Sequence, residues 1–308
     1  MRFNFSVFNH SEIGRASLQD PIQIIANQLT ALGHKAEHSD EIILRGKEGI
    51  NILIEGFTPY SINFIKEGKT QHDARFIFIA TEEPTPKGFN YGADKYMIMR
   101  QAIFPEAAKY AEAILALVPN TASWYSKYAP AEQIELGYAP GLVRPQFRQP
   151  DADYGFYGSI SRRRDKILKR LQRMGTVKRI SLHDANASDQ QSRDLAMQGA
   201  KVIVQIRILE KMGLVSSSRC ATALSLGRPV IAEPHELSRP WDQIIRFSAN
   251  LDDFYKEVQA YKPFWKALHM QQFERFRDIM TPAACIGNAL GRLGIRHSPA
   301  NSPSPYGL

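Results

Sequence analysis

The chain has 308 residues, 44% hydrophobic and 23% charged, the proportions of a globular protein, which excludes disorder as its main state. Lys and Arg number 39 against 31 Asp and Glu, a formal net charge of +8. Two cysteines, Cys220 and Cys285, are too few for a disulfide scaffold, and no apolar run reaches the ~18 residues of a membrane span. This length carries about two domains, and residues 1–10 lack the pattern of a signal peptide. A soluble, cytoplasmic protein is the expectation.

The first half alternates apolar strand runs with helical stretches. Phe3 to Phe8 reads as a strand. Pro21 to Leu32 reads as a helix on the spacing of Ile24, Ile25, Leu29 and Leu32, with Asp20 as its N-cap and Gly33 as its stop. Gly49 to Glu55, Arg75 to Ala80 and Lys95 to Met99 read as further strands, and Pro105 to Leu117 as an amphipathic helix. Pro140, Gly141, Pro145 and Pro150 then interrupt the pattern as a linker. A second cycle begins after it. Asp153 to Tyr157, Val177 to Leu182, Ala200 to Ile206 and Pro229 to Ala232 are its strands, with helices at Arg164 to Met174 and Ser218 to Leu226 between them. Leu251 to Tyr261 and Phe264 to Met280 are helical, and the Ser/Pro-rich end from Ser298 is expected to be disordered. Strands separated by helices imply an α/β protein with parallel sheets.

Charge is concentrated in one segment. Between Ser161 and Arg179 stand nine basic residues and one acid, Asp165, so this stretch equals the net charge of the whole chain. Such a stripe attracts polyanions, either as a surface contact or through the phosphates of a nucleotide.

Two segments have the form of phosphate sites. In Tyr154 to Leu171 a strand ends at Gly158-Ser159 and a polar turn opens a helix, whose N-terminal N–H groups and dipole point into the turn. Gly158 permits close backbone approach, while Ser159, Ser161 and Arg164 can add donors. In Lys201 to Glu233 a strand is followed by Ser216-Ser217-Ser218-Arg219 opening a small-residue helix, then Gly227 and the strand Pro229-Val230-Ile231. Three hydroxyls and an arginine at a helix start make a second anion site, although the serines also suit plain N-capping. His183 and Asp184 follow a strand of this half, where a nucleotide base or ribose would lie.

The Gly158-Ser159 loop with Arg164 behind it, and Arg219-x-x-Thr222-x-x-x-x-Gly227-x-Pro229-Val230-Ile231-x-Glu233, resemble the nucleotide-sugar domain of GT-B glycosyltransferases, with the CgeB-like, spore-maturation-type branch the nearest in look. The resemblance covers residues 154–261. It implies two Rossmann-like domains facing a cleft: 1–143 for the acceptor, 144–261 for the donor, helices of 262–297 packing back on the first domain, and the tail 298–308. It implies a sugar transferred from a nucleotide-sugar donor to an unidentified acceptor such as a glycan, a lipid-linked glycan or a protein, with no cofactor and no obligatory metal. By the same likeness Gly158, Ser159, Arg164, His183, Ser217, Ser218, Arg219, Thr222 and Glu233 bind the donor, the arginines taking the diphosphate. Many members carry a ribose-binding glutamate where this chain has Thr222, and retaining members carry another where it has Leu214. The missing pair points to an inverting reaction, or to a member that binds its donor differently.

An inverting transfer needs a base within reach of the acceptor hydroxyl and positive charge at the leaving diphosphate. The base is expected on a first-domain loop at the carboxyl end of a strand. Glu82 and Glu83 are the leading candidates, since adjacent carboxylates raise one another's pKa and Pro84 and Pro86 restrict the loop. His10, Glu12 and Glu55 come next. Two rivals stand beside this reading: a nucleic-acid-binding protein using the 161–179 stripe, and a non-catalytic nucleotide-binding protein on the same scaffold.

Overall fold

The computed structural model describes residues 1–39, 41, 44–92, 95–143, 149–181, 189–210, 215–235 and 240–295. The chain forms two compact units. The first comprises 1–11, 25–135 and the chain from Pro282; the second comprises 12–24 and 136–281.

The first unit is built on a six-stranded parallel sheet. In chain order its elements are β1 (Arg2–Ser6), α1 (Glu12–Ala31, only partly in this unit), β2 (Lys35–Ser39), β3 (Ile50–Ile54), α2 (Pro59–His72), β4 (Phe76–Ala80), α3 (Lys95–Ala108), β5 (Ala113–Ala116), α4 (Ala122–Tyr125) and β6 (Ala131–Gln133). The strand order is β2-β1-β3-β4-β5-β6. INILI of β3 and FIFIA of β4 are buried at every position, as expected of central strands with both faces covered. Edge strand β2, KAEHS, is polar and half exposed, so its sequence carries no strand pattern.

Two expectations fail in this unit. Lys95–Met99 is not a strand but the start of α3, which runs on through Pro105 to Ala108. Residues 105–117 accordingly hold the end of that helix and strand β5 rather than one amphipathic helix. A short apolar run suits either helix or strand, and here Arg100 to Ala108 extend the run into a helix of 14 residues. The first helix also differs. It starts at Glu12 and passes through Pro21, so Asp20 lies inside the helix and is not its cap.

The second unit carries β7 (Ala152–Tyr157), α5 (Arg162–Gln172), β8 (Val177–Ile180), α6 (Gln190–Gln198), β9 (Ala200–Gln205), α7 (Ser217–Ser225), β10 (Val230–Ala232), β11 (Arg246–Phe247), α8 (Leu251–Tyr261) and α9 (Trp265–Ile279). Its five-stranded parallel sheet has the order β11-β10-β9-β7-β8. Its core joins Tyr154, Phe156, Ile167, Leu168, Leu171, Val202 and Ile231 to Phe254 and Val258 of α8.

The C-terminal helices divide between the units. Helix α9 belongs to the second unit: buried Gln272 accepts from the Val230 N–H and donates to the Val230 carbonyl, both at 2.8 Å, and His269 Nε2 lies 2.9 Å from the Leu224 carbonyl. Only the segment after Pro282, with α10 (Asn288–Arg292), belongs to the first unit, where Arg292 pairs with Glu132 at 2.8 Å. This corrects the expectation that all of 262–297 packs on the first domain. The expected tail 298–308 lies outside the described residues. No helix among the described residues is long and apolar enough to cross a membrane.

Candidate functional site

In an open parallel sheet, ligands gather at the carboxyl ends of the strands. At that end of β7 the backbone turns at Gly158, whose φ of +139° is one that side chains rarely tolerate. A β-carbon there would lie 2.8 Å from Cζ of Arg219. The glycine therefore admits the guanidinium of Arg219, the third residue of α7, against the turn.

Arg219 is half-buried and makes no hydrogen bond or ion pair with any described residue. Its guanidinium lies 5.9 Å from the centre of the Tyr157 ring, a cation–π distance. Burial lowers its pKa, opposed by Tyr157, Cys220 and Asp20. Ser216 stands at the N-cap of α7 but makes no capping bond, and its hydroxyl lies 3.3 Å from that of Ser218. Plain N-capping thus does not account for the serines, and the helix opens with N–H groups that no cap takes up. Ser217 and Ser218 are half-buried beside Arg219.

Arg164 stands behind the Gly158-Ser159 turn and is largely engaged with backbone. It is 5% exposed, and its Nε donates to the Ile206 carbonyl at 2.9 Å while Nη1 donates to the Ser159 carbonyl at 2.9 Å. Its guanidinium sits 5.2 Å from the Phe156 ring centre. Burial, followed by the nearby charge of Arg219, lowers its pKa to about 9. Arg164 braces the Ser159 turn against the end of β9 through Nε and Nη1, and its Nη2 has no hydrogen-bond partner among the described residues.

Glu233 is also committed elsewhere. It is fully buried, and its carboxylate accepts from both terminal nitrogens of Arg163 and from the Arg207 N–H. It clamps the start of α5 to the ends of β9 and β10. Thr222, one turn into α7 from Arg219, lines a small cavity with Gln23, Ile24, Leu142, Asp194, Ser225 and Leu226. His183 and Asp184 lie outside the described residues.

Most of the basic stripe is used internally. Arg163 pairs with Glu233, Lys169 and Arg179 with Asp165, Arg170 with Asp252, and Lys178 with Asp151. Arg162, Lys166 and Arg173 remain exposed without a partner among the described residues. Nine cations in sequence thus become a much smaller unneutralised surface.

Behind Arg219 lies a group that sequence reasoning misses. Arg193 of α6 is 1% exposed, with Nη2 2.8 Å from Asp20 Oδ1 and 3.1 Å from Asp194 Oδ1. The Arg193 guanidinium lies 5.7 Å from the centre of the Tyr157 ring. Asp20 is pushed up to about 6 by burial, with Arg193 acting in the opposite sense. No signal in the sequence joins residue 20 to residue 193; only the folding of the first half of α1 into the second unit does.

In the first unit the acidic candidates gather at the ends of β3 and β4. Glu82 Oε1 accepts from Arg100 Nη1 at 2.7 Å, and Asn90 donates to its other oxygen. Glu83 accepts from the Tyr91 hydroxyl at 3.1 Å and has no cation on it among the described residues. Glu55, 2% exposed, accepts from the Thr81 and Glu82 N–H groups at 3.0 and 3.1 Å. Tyr125 donates to the Glu82 carbonyl at 2.9 Å, beside Glu55. Burial first, then the charge of Glu82, pushes Glu55 up to about 8. Glu82 is thus the neighbouring charge that acts on the buried Glu55. His10 has its Nε2 3.0 Å from the Ile54 carbonyl, and its ring lies where a side chain on Gly56 would stand. Glu12 opens α1 and belongs to the second unit, whereas Glu55, Glu82 and Glu83 belong to the first. Among the described residues no group of three or more His, Cys, Asp or Glu could hold a metal ion.

No protein-family model matches the sequence, and a comparison with curated proteins finds no match. Solved structures do match. AviGT4, a glycosyltransferase involved in avilamycin A biosynthesis, is 11% identical at a TM-score of 0.50, over 96% of this chain and 97% of its own. A TarM variant from S. aureus, in complex with fondaparinux, α-GlcNAc-glycerol and UDP, is 14% identical at a TM-score of 0.49, over 79% of this chain. The match spans 55% of that TarM chain. A putative UDP-N-acetylglucosamine 2-epimerase from Listeria monocytogenes is 8% identical at a TM-score of 0.45, over 98% of both chains. With its six- and five-stranded parallel sheets, the chain has the two-domain, Rossmann-like GT-B fold.

Proposed function

We propose that this protein is a glycosyltransferase that takes a sugar from a nucleotide-sugar donor, and that the second unit holds the donor diphosphate with Arg219, the N–H groups opening α7 and the turn at Gly158. The observation that carries the reading is Arg219 itself: a half-buried guanidinium with no hydrogen bond or ion pair among the described residues, set at a helix N-terminus and given room by a glycine. A desolvated cation without an anion is costly, and a diphosphate supplies the missing acceptors with charge-assisted bonds. The fold shared with AviGT4, a glycosyltransferase, supports the same reading, as does the likeness of 154–261 to the CgeB-like branch.

In the reaction the acceptor hydroxyl oxygen attacks the anomeric carbon and the bond from that carbon to the diphosphate breaks. The hydroxyl proton passes to a base, and Arg219 with the α7 dipole stabilises the charge gathering on the leaving diphosphate, a role that needs no metal. Thr222 and Leu214, in place of the glutamates of retaining enzymes, favour inversion. The base belongs to the first unit. Glu83, whose carboxylate carries no cation among the described residues, suits the role better than Glu82, which Arg100 and Asn90 hold; His10 is next.

Calorimetric titration of UDP, TDP, GDP and CMP, followed by assay of the matching nucleotide sugars for turnover, tests the reading. Binding of one nucleotide with loss on Arg219→Ala, and turnover of its sugar, is expected. Binding without any turnover would leave a non-catalytic nucleotide-binding protein.

A further inference from the structure

Two guanidinium groups address the same ring. Cζ of Arg193 lies 5.7 Å from the centre of the Tyr157 ring and Cζ of Arg219 lies 5.9 Å from it. Their fates differ. Arg193 carries two carboxylates, Asp20 and Asp194, whereas Arg219 carries none among the described residues. Yet Asp20 acts electrostatically on both arginines. A buried carboxylate is strongly stabilised by a cation at contact, so Asp20 would engage Arg219 if it lacked another partner.

We infer that Arg193 is a positioning residue for the anion site: by occupying Asp20 it keeps that carboxylate off Arg219 and leaves the Arg219 guanidinium open to a diphosphate. Tyr157 completes the arrangement. Its ring lies within about 6 Å of both guanidiniums, so the neutralised arginine and the open one share one aromatic neighbour. Asp20 is the carboxylate whose charge reaches Arg219, and it is therefore the group whose capture of Arg219 has to be prevented. The inference rests on the donor reading for its ligand, but not for its geometry.

The test uses two readouts on the full chain: UDP, TDP and GDP titration by calorimetry, and labelling of Arg219 by phenylglyoxal followed by mass spectrometry, which needs no ligand. Arg193→Met is expected to weaken nucleotide binding at least about tenfold, the factor matching ~1.4 kcal/mol, and to protect Arg219 from labelling. Adding Asp20→Asn to Arg193→Met is expected to restore both, to within about threefold of the native protein. A merely structural role for Arg193 would also be relieved by Asp20→Asn, since that removes the buried charge left unpaired, but in the Arg193→Met protein it would leave Arg219 labelling unchanged or raised rather than lowered. Failure of Asp20→Asn to restore labelling, or an Arg193→Met protein with unchanged labelling, overturns the inference. Should Arg193→Met fail to fold, Asp20→Asn alone decides: Arg219 labelling is expected to hold or rise, and a fall overturns it. If the native protein binds none of the three nucleotides, the donor reading fails while the labelling still decides this inference.

Discussion

Gly158 and Arg219 share one volume: a β-carbon on residue 158 would lie 2.8 Å from Cζ of Arg219 and 2.9 Å from its Nη2. Because φ at 158 is +139°, any side chain there strains the turn and displaces the guanidinium together. Gly158→Ala is expected to lower nucleotide affinity by about tenfold or more, in line with strain of about 1–3 kcal/mol. Calorimetry on a variant whose circular dichroism matches the native protein checks this, and an unchanged affinity would separate the turn from the site.

Glu55 should set a pH dependence of stability. Its folded pKa of about 8 lies above the usual carboxyl value of 4.5, so the folded state holds a proton that the unfolded state has already released between those two values. The contribution of Glu55 to stability is therefore fully present below about pH 4.5, declines as pH rises toward 8, and levels off above it. Glu55→Gln mimics the neutral carboxyl and should flatten that decline, with the variant gaining on the native protein above pH 8. Urea denaturation at pH 5, 7 and 9 reads it out; parallel curves for both proteins would contradict it.

Glu233 tests whether a family-like acid keeps its family-like task. Here it clamps Arg163 and the Arg207 N–H. Glu233→Gln should lower stability by about 1–3 kcal/mol, below the ~3–5 kcal/mol of a wholly buried pair because Arg163 is partly exposed. Nucleotide affinity of the folded fraction should change less than stability does. A large affinity loss at unchanged stability would return Glu233 to the ligand.

For the acceptor base, Glu83→Gln should reduce turnover by about 10²- to 10⁴-fold with donor binding nearly intact. Glu82→Gln should instead loosen Arg100 and Asn90 and show first in thermal stability. Stopped assays of the two variants beside thermal melts distinguish them. Near-native turnover for Glu83→Gln would move the base to His10.

Sequence is legible where one element settles its own environment. INILI and FIFIA are apolar throughout, and they are the central strands β3 and β4. The glycine at the end of β7 and the arginine at the start of α7 are legible for the same reason, since each sits where a strand or turn meets the helix next in the chain. Tyr96, Met97, Ile98 and Met99 mislead because apolar type is not burial. In α3 the residues Tyr96, Ile98 and Met99 are exposed, while Arg100 and Phe104 turn inward. Asp20 before Pro21 has the form of a helix cap, but its partner Arg193 lies far along the chain and no local rule connects them. Glu233 and Arg164 show a third limit: the residue types suited to holding a ligand also suit holding strand ends together.

Paired titrations of Arg219→Ala and Arg170→Ala with UDP, TDP and GDP decide whether Arg219 serves a defined diphosphate pocket or only a diffuse basic surface. Arg170 belongs to the same basic charge of the second unit, but it is exposed, pairs with Asp252 at 2.9 Å and lies on the Tyr255 ring. A defined pocket gives a loss of about 10- to 150-fold for Arg219→Ala, the range of one charge-assisted bond of roughly 1.5–3 kcal/mol, and less than about twofold for Arg170→Ala. Equal losses from the two variants, or full affinity retained by Arg219→Ala, would contradict it.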